Sequence, residues 1–370
     1  MAGITGRNKV AIVLMNLGGP DRLESVPPFL FNLFYDPAIT EMPAPFRWVF
    51  ARLITRRRQA AVKENYRLMG GKTPLLEETA AQARALEAAL AGDQLGAAEV
   101  RCFVAMRYWH PFSEAAAREV EAFGPDRILL LPLDPQYSAA TTGSSLAAWR
   151  EAAAKVGLDG TPTRTVCCYP TEPGFVRAHA DLIRRGLAKA AGSGGRPRLL
   201  FSAHGLPEAF IRKGDPYRWQ IEQTCAAVVE ELAVPDLDWL ICYQSRVGPQ
   251  KWIEPYTDAE VERAGRDGVP VVMTPIAFVS EHIETLVEMD DEYAKLAREA
   301  GAPEFVRVPT PTVHPEFIGA LAALVRRHLD PAGATDELLG PGLGRLCPPG
   351  FGRCPCRVGA GAAPRERAAA

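Results

Sequence analysis

Apolar residues fall along this chain in short unbroken runs, separated by longer stretches where they recur every three or four positions. The runs "VAIVLMNLGG" (10–19), "RCFVAMRYW" (101–109), "RILLLPLDP" (127–135), "RTVCCYP" (164–170), "RLLFSAHGLP" (198–207), "DWLICYQSR" (238–246) and "VPVVMTPIAFVS" (269–280) have strand length. They are continuous rather than alternating, the pattern of strands covered on both faces in a parallel sheet. Helical spacing predicts helices over 77–91, 113–122, 171–190, 217–232, 284–300 and 315–329. Strand–helix–strand repetition specifies α/β layers.

The halves echo each other in the same order. "LLFSAHGLP" follows "IVLMNLGGP", "ICYQSRVGP" follows "FVAMRYWHP", and "VVMTPIAFVS" follows "ILLLPLDPQYS". The expected fold is therefore α/β with two similar doubly wound, Rossmann-like domains and parallel sheets. The first spans 8–165 and the second 166–335. An irregular cysteine-containing tail follows over 336–370, its end expected to be disordered. Ligands of open α/β sheets sit at the carboxyl ends of the strands, so the polar residues that close these runs carry the functional information.

Those residues are Asn16, Arg107–Tyr108, Gln136–Tyr137, His204, Gln244–Ser245 and the segment Glu281–His282–Ile283–Glu284. A single strand-end polar residue is usually a turn former or a cap, and Asn16 and Ser245 read that way. His204 leaves a strand ahead of Gly205 and Pro207, which lets its ring face a crevice. A histidine there can accept and release protons near neutrality, although an isolated one is more often structural. In "VSEHIETLVEMDDEY", Ser280 is a helix cap candidate. Glu281, Glu284 and Glu288 then share one helical face. Such a row is commonly a solvated face. At the carboxyl edge of a buried sheet it is also a path for a divalent cation inward or protons outward.

Composition narrows the classes. A chain of 370 residues with 47% apolar and 23% charged positions is globular and long enough for two domains. A net charge of −2 gives no basic field for nucleic acid, and none is expected as a partner. No run reaches the roughly 18 apolar residues of a membrane span, and the start "MAGITGRNKVAIVLMNLGG" carries neither a presequence nor a signal pattern. A cytoplasmic protein is expected, with reduced thiols. Oligomeric state is not legible.

Of the eight cysteines, Cys102, Cys225 and Cys242 lie in apolar patterns and read as core. Cys347, Cys354 and Cys356 in "LCPPGFGRCPC" do not. Their spacing lacks the paired C-x₂-C of a zinc ribbon, while iron–sulfur clusters take four thiolates at freer spacing. A fourth would come from the body. Cys167 and Cys168 end a strand, so one of the two is expected to point outward. The preferred choice is Cys168, with Cys167 the alternative. The competing reading is a disordered tail with free thiols.

"LLFSAHGLPEAFIRKGDPY" resembles the signature of the ferrochelatases. "NLGGP" (16–20), "YRLMGGKTPL" (66–75), "RYWHP" (107–111), "PQYSAATTGSS" (135–145), "QSRVGPQKW" (244–252) and "PIAFVSEHIETLVEMD" (275–290) are similar to further blocks of that family, in order. The resemblance covers about 8–330. It implies a class II chelatase-like fold and insertion of ferrous iron into protoporphyrin to give protohaem, with release of two protons. It places His204, Glu284, His282 and Glu288 in the catalytic group, with His204 and Glu284 meeting the substrate iron. Leu17, Arg58, Tyr66, Thr73, Arg107, Tyr108 and Trp252 fall on porphyrin-side positions, Arg58 and Thr73 toward the propionates. The apolar segment 26–58 becomes a lip over the porphyrin, with Arg56–Arg58 available to propionates or anionic lipid in a peripheral membrane contact. An ordinary core helix is the alternative for its first half.

The resemblance also implies a 2Fe–2S cluster of the bacterial type on the tail cysteines plus one internal cysteine. The animal type takes its internal ligand just before "TTGSS", where this chain has Ala139. Two rivals remain at this stage: a chelatase for coproporphyrin or another tetrapyrrole and metal, and a non-catalytic tetrapyrrole carrier.

Overall fold

The computed structural model describes residues 8–91, 99–193, 195–329 and 338–356. The first half runs β1 (Lys9–Asn16), α1 (Val26–Tyr35), α2 (Ala44–Leu68), α3 (Leu75–Leu90), β2 (Glu99–Met106), α4 (Ser113–Phe123), β3 (Arg127–Pro132), α5 (Thr142–Lys155) and β4 (Thr163–Val166). The second begins with α6 (Pro173–Ala190), β5 (Arg198–His204), α7 (Glu208–Arg212), α8 (Tyr217–Leu232), β6 (Asp238–Gln244), α9 (Thr257–Arg266) and β7 (Val271–Pro275). It continues with a π-helix (Glu284–Tyr293), α10 (Ala294–Glu299), β8 (Phe305–Arg307) and α11 (Pro315–Leu329), and β9 (Leu338–Leu339) follows.

Among the described residues every pair of these strands is parallel, and the two sheets have the orders β2-β1-β3-β4-β9 and β6-β5-β7-β8. The echo in the sequence is thus an echo in topology: β1 and β5, β2 and β6, β3 and β7, β4 and β8 occupy matching places. Alternation along each strand divides its side chains between two layers. From β1, Val10, Ile12 and Leu14 enter one core with α3 and α11, while Ala11, Val13 and Met15 enter another with α4 and α5. From β5, Leu199, Phe201 and Ala203 pack with α6 and α8, and Leu200 packs toward α9 and α10. Both faces are covered, which is why the strands read as continuous apolar runs.

The halves interlock. α6 gives Phe175 and Ala178 to the first core and Val176, Ala180 and Ile183 to the second. α11, within the expected second domain, packs Phe317, Leu321 and Leu324 on the first sheet. The backbone of β9, at the start of the expected tail, extends that same sheet beside β4. The tail end, 357–370, lies outside the described residues. Gln82 of α3 is fully buried, and its amide lies 2.9 Å from the Val279 carbonyl, 3.1 Å from Ser280 Oγ and 3.1 Å from the Thr312 carbonyl. That contact fixes the segment leading into the π-helix against the first half.

Candidate active site and thiol pocket

β5 delivers His204 to the sheet edge, and the Tyr217 hydroxyl donates to its carbonyl at 3.0 Å. The next residue is glycine for a spatial reason. A Cβ at Gly205 would lie 3.0 Å from the Gln244 carbonyl and 3.2 Å from the Trp252 ring. The close approach seats Trp252 edge-on to His204, with centroids 6.4 Å apart. Trp252 is buried, its Nε1 donating to the Val247 carbonyl at 3.1 Å.

Opposite, the helix start is not where the sequence predicts it. Ser280 does not cap; it is buried against Gln82, and the helix opens at Glu284 as a π-helix. Its wider i→i+5 turn sets Glu284, Glu288 and Glu292, four apart, close to one line. Glu281 leaves the expected row: its Oε1 accepts from Arg307 at 2.7 Å and from the Thr310 N–H at 2.9 Å.

His204 Nδ1 lies 2.8 Å from Glu284 Oε2, and His282 Nε2 lies 3.7 Å from Glu284 Oε1. The Ser245 hydroxyl reaches Glu284 at 2.9 Å and Glu288 at 2.6 Å, and the Gln244 amide donates to Glu288 at 3.1 Å. Ser245 is therefore more than a turn former, although its φ of +63° suits a turn. One hydroxyl proton serves two carboxylates, so it bridges them and donates to one at a time. Asn16, by contrast, does make a local turn: its Oδ1 accepts from the Leu17 N–H at 2.7 Å and its amide donates to Thr79.

The carboxylates are driven apart. Burial opposes charge on Glu284, but His204 and then His282 hold it well below the usual carboxylate range. Burial, reinforced by the charge of Glu284, pushes Glu288 up to about 7. Burial also disfavours a charged His204, yet the Glu284 carboxylate outweighs it and holds the ring above the ordinary histidine range. Behind Glu288 opens a cavity of about 550 Å³ lined by Ser245, Asp258, Asp291, Glu292 and Glu299 and by the cations Arg246 and Lys295, which pair with Asp258 and Glu299 and leave Asp291 and Glu292 as the surplus of acid.

The apolar segment that begins at Val26 packs on the other side. Leu17, Tyr66 and Tyr108 pack with Val26, Phe29 and Leu30 of α1 and with Ile283, the neighbour of Glu284. Thr73 is buried against Gly19. Tyr108 is fully buried and its hydroxyl donates to Asp36 at 2.6 Å. Arg107 also pairs with Asp36, at 2.9 Å, and donates to Ser144 at 2.6 Å. This pair therefore stands behind the wall and holds the turn after α1. Arg58 lies half-buried on α2. α1 is partly core, whereas α2 exposes Phe46 (70%), Trp48 (45%) and Leu53 (63%), far more than apolar side chains in a closed wall. No helix among the described residues is long and apolar enough to cross a membrane.

The cysteines converge. Cys167, Cys168, Cys347, Cys354 and Cys356 are all buried in one pocket with Tyr137, Trp219, Leu346 and Phe351. The thiols of Cys167, Cys354 and Cys356 lie within 4.8 Å of one another. Gln220 donates to Cys347 at 3.0 Å and to Cys168 at 3.4 Å. The expected alternation of Cys167 and Cys168 fails because β4 ends at Val166, so the period of two no longer governs them. Both turn inward, and Cys167 rather than Cys168 joins the tight triad. Cys225 and Cys242 are core residues and Cys102 packs at a core edge.

A family model for ferrochelatase matches residues 9–329. The ferrochelatase of Caulobacter vibrioides (strain NA1000 / CB15N) is 53% identical over 354 residues, 96% of this chain and 99% of that protein. That of Phenylobacterium zucineum (strain HLK1) is 53% identical over 355 residues, 95% of this chain and 99% of its own. Among solved structures, the sirohydrochlorin chelatase SirB from Bacillus subtilis subspecies spizizenii, in complex with cobalt, superposes with a TM-score of 0.51 at 12% identity, over 87% of this chain and 95% of that one. It shares the fold of two parallel sheets. With the signature around His204 and a match of this length, the chain belongs to the ferrochelatase family.

Proposed function

We propose that this chain inserts ferrous iron into protoporphyrin, with His204, Glu284 and Glu288 handling the two protons released. The observation that carries this is the split between two adjacent carboxylates, one held anionic beside a histidine and the other poised near neutrality. Different environments assign different roles to like groups. Porphyrin lies between Trp252 and the apolar group of Leu17 and Tyr66, with Thr73 and Arg58 toward its propionates. His282 supports Glu284.

Before iron enters, the Glu284 charge favours an imidazolium, which cannot accept a proton. A ferrous ion arriving beside Glu284 reverses that field. Glu288 releases its own proton to the cavity, takes the proton of His204 through Glu284, and leaves His204 as the base for a pyrrole N–H. Two pyrrole N–H bonds break in turn as iron bonds to the four ring nitrogens, and the cavity behind Glu288 conducts the two protons to solvent. A small number of weak ligands suits transient handling of iron better than a closed site.

Anaerobic assays with protoporphyrin and coproporphyrin against ferrous, cobalt and zinc ions test the assignment. Faster insertion of ferrous iron into protoporphyrin supports it. A preference for coproporphyrin moves the substrate, and porphyrin binding without insertion makes the protein a carrier.

The thiol pocket fits a 2Fe–2S cluster: Cys167, Cys347, Cys354 and Cys356 supply four thiols, and the Gln220 amide points at the sulfur of Cys347. Such donors to sulfur stabilise thiolate ligands. When bound, the cluster supplies one-electron redox chemistry and ties the tail to the body. Loss of the visible sulfur-to-iron absorption in Cys167→Ser, with retention in Cys168→Ser, would support this ligand set; the reverse would restore Cys168. The exposed face of α2, with Arg52, Arg56 and Arg57 beside Phe46, Trp48 and Leu53, supports peripheral contact with anionic lipid. Flotation with phosphatidylglycerol vesicles tests it, and absence of binding removes it.

A further inference from the structure

The loop 36–43 between α1 and α2 is fastened at both ends, to different halves of the molecule. Asp36 is held by Arg107, Tyr108 and Ser144 of the first. Glu41 is held by Lys213, which follows α7, and by Arg353 of the tail, whose Nη2 lies 2.9 Å from Glu41 Oε1. The bonds from Lys213 and then Arg353 keep Glu41 below the usual carboxylate range.

Arg353 is itself fixed. Its N–H donates to the Gly214 carbonyl at 3.1 Å, and its guanidinium lies over the Phe210 ring at 5.4 Å. Gly214 has φ +83°, and a Cβ there would lie 2.7 Å from the Gly352 nitrogen. The tail backbone thus seats directly on the backbone of the loop that follows α7. On its other side, the residue after Arg353 is Cys354 of the thiol pocket. Glu41 stands three positions before Ala44, where α2 begins, and Pro43 between them stiffens the link.

We propose that Glu41 and Arg353 are positioning residues for the mouth of the cleft: the cysteine tail, through Arg353, holds loop 36–43 and with it the first turns of α2 over the porphyrin. This rests on reading the cleft as the porphyrin site. Exposed ion pairs add little to global stability, so the contact acts on the placement of the loop rather than on folding.

The test is a cycle of Glu41→Gln, Arg353→Ala and the double variant, on protein carrying its thiol-bound metal, with that metal's visible absorption confirming an intact tail. Hydrogen exchange at amides 36–44 is the primary readout. Exchange at least about threefold faster in each single variant, with the double no faster than Glu41→Gln alone, supports the clasp. Unchanged exchange overturns it, whatever the activity. In steady state, porphyrin KM is expected to rise about three- to tenfold with kcat within about twofold. A fall in kcat alone overturns the positioning role. Arg353→Lys keeps the charge and should restore both protection and KM; failure to restore either shows that charge is not the agent. If the protein inserts no iron, the exchange arm still decides the clasp, so the two readings fail separately.

Discussion

At the end of β1, the Asn16 side-chain carbonyl accepts from its own turn and its amide donates to Thr79 of α3; at the matching end of β5, His204 faces a carboxylate across the cleft. The neighbouring strands repeat the contrast. Arg107, after β2, is neutralised by Asp36, while Ser245, after β6, bridges two acids of which only one is matched by a cation or histidine at close range. One topology therefore carries a closed, charge-balanced network in the first half and an open, acid-rich one in the second. Balanced charge fixes geometry; carboxylates short of partners beside a cavity are available to titrate. The repeated topology supplies two equivalent edges, and the residues at them differ in how far their charges are paired.

The division is tested most severely at the two equivalent strand ends. His204→Ala should lower kcat by about 10²–10⁴-fold, the usual contribution of a positioned acid–base group, with porphyrin affinity kept within about threefold. Asn16→Ala should change kcat by less than about threefold. Steady-state kinetics and porphyrin fluorescence titration measure both. Comparable losses in the two variants would erase the distinction between the halves.

The closed network should answer in stability instead. Asp36→Asn leaves Arg107 without its buried anion and weakens the Tyr108 bond. Removing one partner of a buried pair typically costs 3–5 kcal/mol. Arg107 is partly exposed, so about 2–3 kcal/mol is expected, read as a lower urea midpoint. A midpoint unchanged, with kcat reduced instead, would put Asp36 in the chemistry.

Much of this plan is visible in the residues, and the exceptions have physical causes. Strands buried on both faces announce themselves as unbroken apolar runs, so β1 to β7 are legible. α5 and α9 are not, because "TGSSLAAWREAAAK" and "TDAEVERAGR" are short, small or polar stretches with little apolar stripe. β8 and β9 are too short to show a period. The π-helix is invisible because spacing of four is tested against spacing of three and four alike. Glu281 belongs to the row by sequence, and Arg307 on β8, distant in the chain, takes it away. His204, Glu284 and Glu288 stand out by place and type, whereas Ser245 looks like any turn residue until both acids are seen on either side of it.

The open network should show its cost with pH. The folded-state pKa of Glu288 is raised to about 7, above its unfolded value. The contribution of its proton is present at low pH and is lost as pH rises through 7. Glu288→Gln resembles the protonated acid, so it should be more stable than the native chain at pH 8, by about 1–2 kcal/mol after discounting for coupling to Glu284. At about pH 3.5, below the unfolded carboxylate value, the two should match. Thermal midpoints at the two pH values measure this, and an equal difference at both would show that Glu288 is not held protonated by its surroundings.

The smallest effect on catalysis is expected from the acid that sequence alone would place beside the site. Glu281 is three positions from Glu284 and at the same sheet edge, yet its Oε1 is committed to Arg307 and the Thr310 N–H, and its own N–H donates to Glu78 at 2.7 Å. Burial opposes its charge, but Arg307 prevails and lowers its pKa. Its carboxylate therefore contributes stability above the ordinary carboxylate range that is lost as pH falls through the lower folded value. Glu281→Gln should leave kcat within about twofold and lower stability at pH 7 by about 1 kcal/mol, since Arg307 keeps Asp290 at 2.7 and 2.8 Å. The deficit should shrink toward pH 3. A tenfold fall in kcat would return Glu281 to the proton path and make the π-helix row begin one turn earlier, in the half of the molecule whose charges would then be less open than they look.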